Sequence, residues 1–87
     1  MLSDCGKLTY LDIGESSKVE SLDFLRNCTM LETLYADSCG LTGWNGPQNM
    51  EKLKDLDLSG NELESLEDFP VLSAENGVKL DLRNNRL

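Results

Sequence analysis

The sequence contains no histidine. That removes the Ser–His and Cys–His pairs that activate nucleophiles, together with the usual zinc ligand sets. The three cysteines, Cys5, Cys28 and Cys39, are too scattered to form a structural zinc site by themselves. No apolar run approaches the roughly 18 residues of a membrane span. A Gly-rich phosphate loop is also missing, since "GWNGPQ" (43–48) lacks the lysine and the following helix. Positive charge is scarce: eight Lys plus Arg stand against sixteen carboxylates, for a net charge of -8. Such a chain repels nucleic acid and anionic lipid, and neither is expected as a partner. A basic partner suits the charge; a solvated acidic surface would produce the same balance.

An odd cysteine count predicts reduced thiols and a cytoplasmic setting. The first ten residues, "MLSDCGKLTY", have neither a charged leader nor an apolar core and do not read as a secretory signal. One triplet dissents. Asn27-Cys28-Thr29 has the form of an N-glycosylation acceptor, although such triplets also arise by chance. At 87 residues, with 39% apolar and 28% charged side chains, the chain predicts one small folded domain covering 1–87.

Leucines supply the main pattern. In "LKDLDLSGNELESL" (53–66) they fall at 53, 56, 58, 63 and 66. These steps fit neither the three-and-four spacing of an α-helix nor the continuous two of a strand. The spacing recurs along the chain. "LSDCGKLTYLDI" (2–13) lies over "LRNCTMLETLYA" (25–36), so that Leu2 matches Leu25, Cys5 matches Cys28, Leu8 matches Leu31 and Leu11 matches Leu34. "PQNMEKLKDLDL" (47–58) repeats the pattern with Met50 in the cysteine slot, and "GVKLDLRNNRL" (77–87) gives a fourth copy with Gly77 in a leucine slot. Leu11, Leu34, Leu56 and Leu80 are thus 23, 22 and 24 residues apart. The two-residue step of Leu56–Leu58 or Leu80–Leu82 predicts a short strand. Elsewhere apolar residues run at steps of three, as in Val19, Leu22, Leu25, Cys28 and Leu31, or Leu63, Leu66, Phe69 and Leu72. Three per turn is the period of a 3₁₀ helix or an extended coil.

The pattern resembles the leucine-rich repeat, L-x-x-L-x-L-x-x-N/C-x-L. "LKDLDLSGNEL" (53–63) fits it at every slot. "LETLYADSCGL" (31–41) fits with Ala36 for a leucine and Cys39 in the Asn/Cys slot, and "LTYLDIGES" (8–16) fits weakly, with Ser16 there. The resemblance implies a solenoid of about three and a half repeats, near 8–30, 31–52, 53–76 and 77–87, with 1–7 the tail of a preceding one. Short parallel strands would line the concave face and coil or 3₁₀ returns the convex face. It also implies a non-catalytic module that binds, regulates or localises a partner protein. Asn61 and Asn85 would bond backbone groups of adjacent turns, and Cys39 would do so more weakly. Cys5 and Cys28 would be small core residues.

The residues between the strand leucines would face outward as the binding surface: Tyr10, Asp12 and Gly14; Thr33, Tyr35 and Asp37; Asp55, Asp57 and Ser59; Lys79, Asp81 and Arg83. Both tyrosines lie among them, and exposed tyrosine is a frequent interface anchor. Solvated sheet residues are the simpler alternative. Four such strands present roughly 250 Å² from standard strand dimensions, below the roughly 800 Å² per side of a standard interface, so weak binding is expected. "DLDLSGNELESL" (55–66) begins like a calcium loop, but Leu66 stands where a bidentate Glu is needed, and neither calcium nor another cofactor is expected. The apolar ladder runs to both ends without a polar cap, which predicts a fragment of a longer array or end-to-end self-association.

Overall fold

Alternation over a few residues, bounded by Gly, Asn and Ser, favours strands too short to bury both faces. The computed structural model describes residues 5–16, 18–72 and 77–87. The expected ladder position Leu2 and the 73–76 end of the third predicted repeat lie outside the described residues. The described residues form four strands: β1 (Tyr10–Asp12), β2 (Thr33–Tyr35), β3 (Asp55–Asp57) and β4 (Lys79–Asp81). They pair in parallel in chain order, β1-β2-β3-β4. Leu11, Leu34, Leu56 and Leu80 stand side by side, as the repeat spacing predicts.

Parallel neighbours require a crossover, and the described residues of each crossover form a non-α return. The three-residue rhythm has a direct cause in backbone bonding. Leu25 N–H donates to Leu22 O at 3.0 Å, Cys28 N–H to Leu25 O at 2.8 Å and Leu31 N–H to Cys28 O at 3.2 Å. This i→i+3 series includes a 3₁₀ helix over Asp23–Asn27, started by the Ser21 hydroxyl, which accepts the Asp23 N–H at 3.0 Å. It turns every third side chain inward, so Leu22, Leu25, Cys28 and Leu31 are all buried. Leu53 N–H to Met50 O (3.1 Å) and Phe69 N–H to Leu66 O (3.1 Å) repeat the step later in the chain.

The core lies between the sheet and these returns. Leu34, Leu56 and Leu58 pack there with Leu22, Leu25, Leu41, Leu53 and Leu63, closed by Trp44 and Met50. A leucine buried this fully contributes about 1.5–3 kcal/mol. Burial weakens away from the middle strands. Leu34 and Leu56 are 0% and 1% exposed, whereas Leu80 on β4 is 40% exposed, because β4 has a strand on one side only. Leu66, expected on the apolar ladder, is 42% exposed, which corrects that expectation.

The expectation of three reduced thiols is also corrected: Cys5 and Cys28 are joined by a disulfide. Their shared slot in successive turns of the chain stacks them with Cα atoms 5.0 Å apart, within the range a disulfide spans. Both are buried, as small core residues would be, but as a covalent link between turns.

Asparagine fills the role expected of it. Asn61 is buried, and its Oδ1 accepts from Cys39 N–H (2.9 Å) and Leu41 N–H (3.0 Å). Its Nδ2 donates to Ala36 O and Leu58 O, each at 2.9 Å. Asn85 repeats this one turn later, accepting from Leu63 N–H (2.9 Å) and donating to Leu58 O (2.9 Å) and Leu82 O (3.0 Å). Cys39 makes the thinner version, its thiol donating to Ile13 O at 3.1 Å. Burial pushes the Cys39 thiol pKa up, with partial opposition from backbone bonds of Ser16 and Glu15, so the proton needed for that contact is retained.

Four residues past each aligned leucine the chain enters the left-handed region. Glu15 (φ 62°), Ser38 (φ 53°), Gly60 (φ 69°) and Asn84 (φ 61°) occupy this position. The turn passes the next backbone bond across: Glu15 N–H reaches Asp37 O (2.7 Å), Ser38 N–H reaches Ser59 O (3.0 Å) and Gly60 N–H reaches Arg83 O (2.9 Å).

Candidate protein-binding face

With Leu11, Leu34 and Leu56 turned to the core, the flanking strand residues point to the opposite face of the sheet. The structure brings the predicted residues together there in aligned rows. Tyr10, Thr33, Asp55 and Lys79 form one row, and Asp12, Tyr35, Asp57 and Asp81 the next. Gly14, Asp37, Ser59 and Arg83 follow just beyond the strand ends.

The two tyrosines meet edge to face, with ring centroids 5.6 Å apart and planes at 82°. This arrangement sets the positive edge of one ring on the negative face of the other. Tyr10 is 55% exposed, while Tyr35 is half-buried and donates its hydroxyl to Asp55 Oδ2 at 3.2 Å. That bond, reinforced by the Asp55 charge, raises the Tyr35 pKa above the ordinary phenol value.

The aspartates also have local work. Asp12 Oδ1 accepts the Gly14 N–H (2.8 Å), Asp57 Oδ1 the Ser59 N–H (2.9 Å) and Asp81 Oδ1 the Arg83 N–H (3.1 Å). These three turns, each closed by a side chain onto its own backbone two residues on, end strands β1, β3 and β4. Asp57 Oδ1 takes the Ser59 hydroxyl as well, at 2.7 Å. Asp37 leans over Gly14, where an added Cβ would collide with its Oδ1.

Charge is uneven across the face. Asp12, Asp37, Asp55 and Asp57 cluster on β1 to β3. On β4 the Arg83 guanidinium grips Asp81 with two bonds, Nε to Oδ1 at 3.0 Å and Nη2 to Oδ2 at 2.9 Å. The side-chain bonds from Arg83 hold the Asp81 carboxyl below the usual carboxylate range. The acidic row therefore fades toward β4, where the Lys79 charge also acts on Asp81. The pairing follows from the i, i+2 spacing of Asp81 and Arg83.

One border of the face is missing from the sequence-based set. Lys54, just before β3, pairs with Glu32, just before β2, at 3.1 Å. Both precede a predicted strand by one residue, and that shared position is the signal in the sequence. Among the described residues, no group of three or more Asp, Glu or Cys is arranged to hold a metal ion. Among the same residues no helix is long and apolar enough to cross a membrane.

Residues 52–73 match the family model for the Leucine Rich Repeat, over the segment that contains β3 and its return. That segment is thus similar to a leucine-rich repeat, a kind of repeat that generally mediates protein interaction and is typically non-catalytic. No curated protein and no solved structure matches it.

Proposed function

We propose that the outward sheet face binds a protein partner, with Tyr10 and Tyr35 as anchors and Asp12, Asp37, Asp55 and Asp57 selecting a basic segment. The observation that carries this reading is the edge-to-face tyrosine pair, set beside Asp55 and turned away from the core. Rigid aromatic rings on a sheet lose little conformational freedom on binding, and nearby carboxylates steer a cation toward them. The module is non-catalytic, regulating or localising its partner. It occupies a single solenoid domain spanning 1–87, with about three and a half repeats and the strands on the concave side. The small face makes the affinity modest.

The test begins with partner capture by crosslinking and mass spectrometry, followed by calorimetry on variants. Tyr35→Ala and Asp57→Asn should each weaken binding by more than about 1 kcal/mol. Asparagine keeps the acceptor for the Ser59 turn, so the second change isolates charge. Unchanged affinity in both variants refutes the face.

A second reading is favoured by the half-exposed Leu80 on the outer strand β4. In it the chain is a structural segment of a larger leucine-rich-repeat array, or stacks end to end through that edge. A concentration-dependent mass by light scattering supports stacking, and a constant monomer mass removes it. The cytoplasmic setting loses its premise with the Cys5–Cys28 bond, which supports an oxidising compartment instead.

A further inference from the structure

We propose that Asn27 is a glycan-acceptor site, taking an N-linked oligosaccharide from a lipid-diphosphate-linked donor. Two independent observations converge on it. The first is the triplet Asn27-Cys28-Thr29, an amide two residues before a hydroxyl. The second is that the middle residue of this triplet is locked to Cys5 in a disulfide, a bond that persists where proteins are oxidised. In eukaryotic cells the secretory compartment that makes such bonds also transfers N-linked glycans.

The local geometry suits the acceptor. Cys28 is buried, yet Asn27 and Thr29 on either side are exposed. Neither the Asn27 amide nor the Thr29 hydroxyl has a side-chain hydrogen-bond partner among the described residues. Asn27 closes the 3₁₀ helix of the first return, on the far side of the core from the sheet face. A bulky polar chain fits there without entering the core or obstructing Tyr10 and Tyr35. It would also lie near Met30, whose side chain is exposed three residues on.

The transfer involves no oxidation. The Asn27 amide nitrogen forms a bond to the anomeric carbon of the donor sugar. The bond from that carbon to the lipid diphosphate breaks, and the amide proton leaves with the diphosphate.

The site is tested on the full chain recovered, without reduction, from the cells that make it. Trypsin cuts after Arg26, so Asn27 begins its own peptide. That peptide is expected to carry a hexosamine-cored glycan, and peptide-N-glycosidase applied to the whole chain before trypsin, while Asn27 is still within the chain, should release it and convert Asn27 to aspartate. Thr29→Ala should abolish the modification and Thr29→Ser retain it. Because Thr29 is exposed and makes no side-chain bond, loss in Thr29→Ala is not a folding defect, and far-UV circular dichroism unchanged from the parent checks this. An unmodified Asn27 peptide overturns the proposal, whether Cys5 and Cys28 prove oxidised or reduced. The outcome is independent of the binding face, whose failure would leave the Asn27 result standing.

Discussion

The side-chain oxygen of Asn61 accepts the backbone N–H of Cys39 at 2.9 Å, across 22 residues of sequence. The bond ties two successive turns through groups that would otherwise be buried without partners. Asn61→Ala strands the Cys39 and Leu41 N–H groups together with the Ala36 carbonyl, while Leu58 O keeps its bond from Asn85. With about 1–3 kcal/mol for each buried group left unpaired, the loss should reach at least about 3 kcal/mol. Urea denaturation with an unchanged slope checks it, and a loss below about 1 kcal/mol would show that water replaces the amide.

The left-handed turn makes a prediction of opposite sign at two equivalent positions. Glu15 holds φ at 62° against its own Cβ, at a cost of roughly 1–2 kcal/mol. Glu15→Gly should therefore raise stability by about 1 kcal/mol. Gly60→Ala should lower it by at least as much, since the new Cβ would meet Ser38 Oγ at 2.8 Å in addition to the backbone strain. Thermal midpoints moving the other way would contradict the turn geometry.

The disulfide closes a loop of sequence separation 23. Chain-entropy arithmetic for a loop of that length gives about 3 kcal/mol of stabilisation. Reduction, or Cys28→Ser, should remove about that amount, read as a drop in denaturation midpoint. No change on reduction would mean that the unfolded chain is already restricted there.

Acid and alkaline limits have separate causes. The Asp81 carboxyl is held low by Arg83, so its contribution is present above the unfolded carboxylate value and fades as pH falls through the folded one. Arg83→Ala should raise the Asp81 midpoint toward the ordinary range in a carboxyl-carbon NMR titration. Tyr35 is raised by its bond to Asp55, so its contribution is present below the unfolded phenol value and disappears as pH climbs through the folded one. Asp55→Asn should bring the Tyr35 midpoint down in an ultraviolet titration. Unmoved midpoints would show that these contacts do not persist in solution.

Much of the architecture was legible because its cause is a spacing. Leucines recurring at 22 to 24 residues can share a core only if successive turns stack, which fixes Leu11, Leu34, Leu56 and Leu80 in one row. The roles of Asn61, Asn85 and Cys39 followed from the same stacking. The outward rows were legible from strand alternation, but their chemistry was not. Whether Asp81 stands free or is gripped by Arg83 depends on rotamers, and the sequence pattern leaves these open. The disulfide was within reach, since Cys5 and Cys28 occupy one slot in adjacent turns. The odd thiol count pointed the other way, yet Cys39 accounts for the odd one as a buried backbone partner. Exposure at Leu66 and Leu80 was missed because a periodic pattern marks which side of a turn is apolar and says nothing of how well each turn is covered.

The sulfur link ties only the earliest turns of the chain, well before β4. Under a mechanical load across the molecule, β4 has one strand to hold it and a half-exposed leucine beneath it, so it should peel first. The segment from Cys5 to Cys28 cannot lengthen until a covalent bond is cut. The fold thus has a direction of failure, and its tyrosine-bearing strands β1 and β2 sit at the end that yields last.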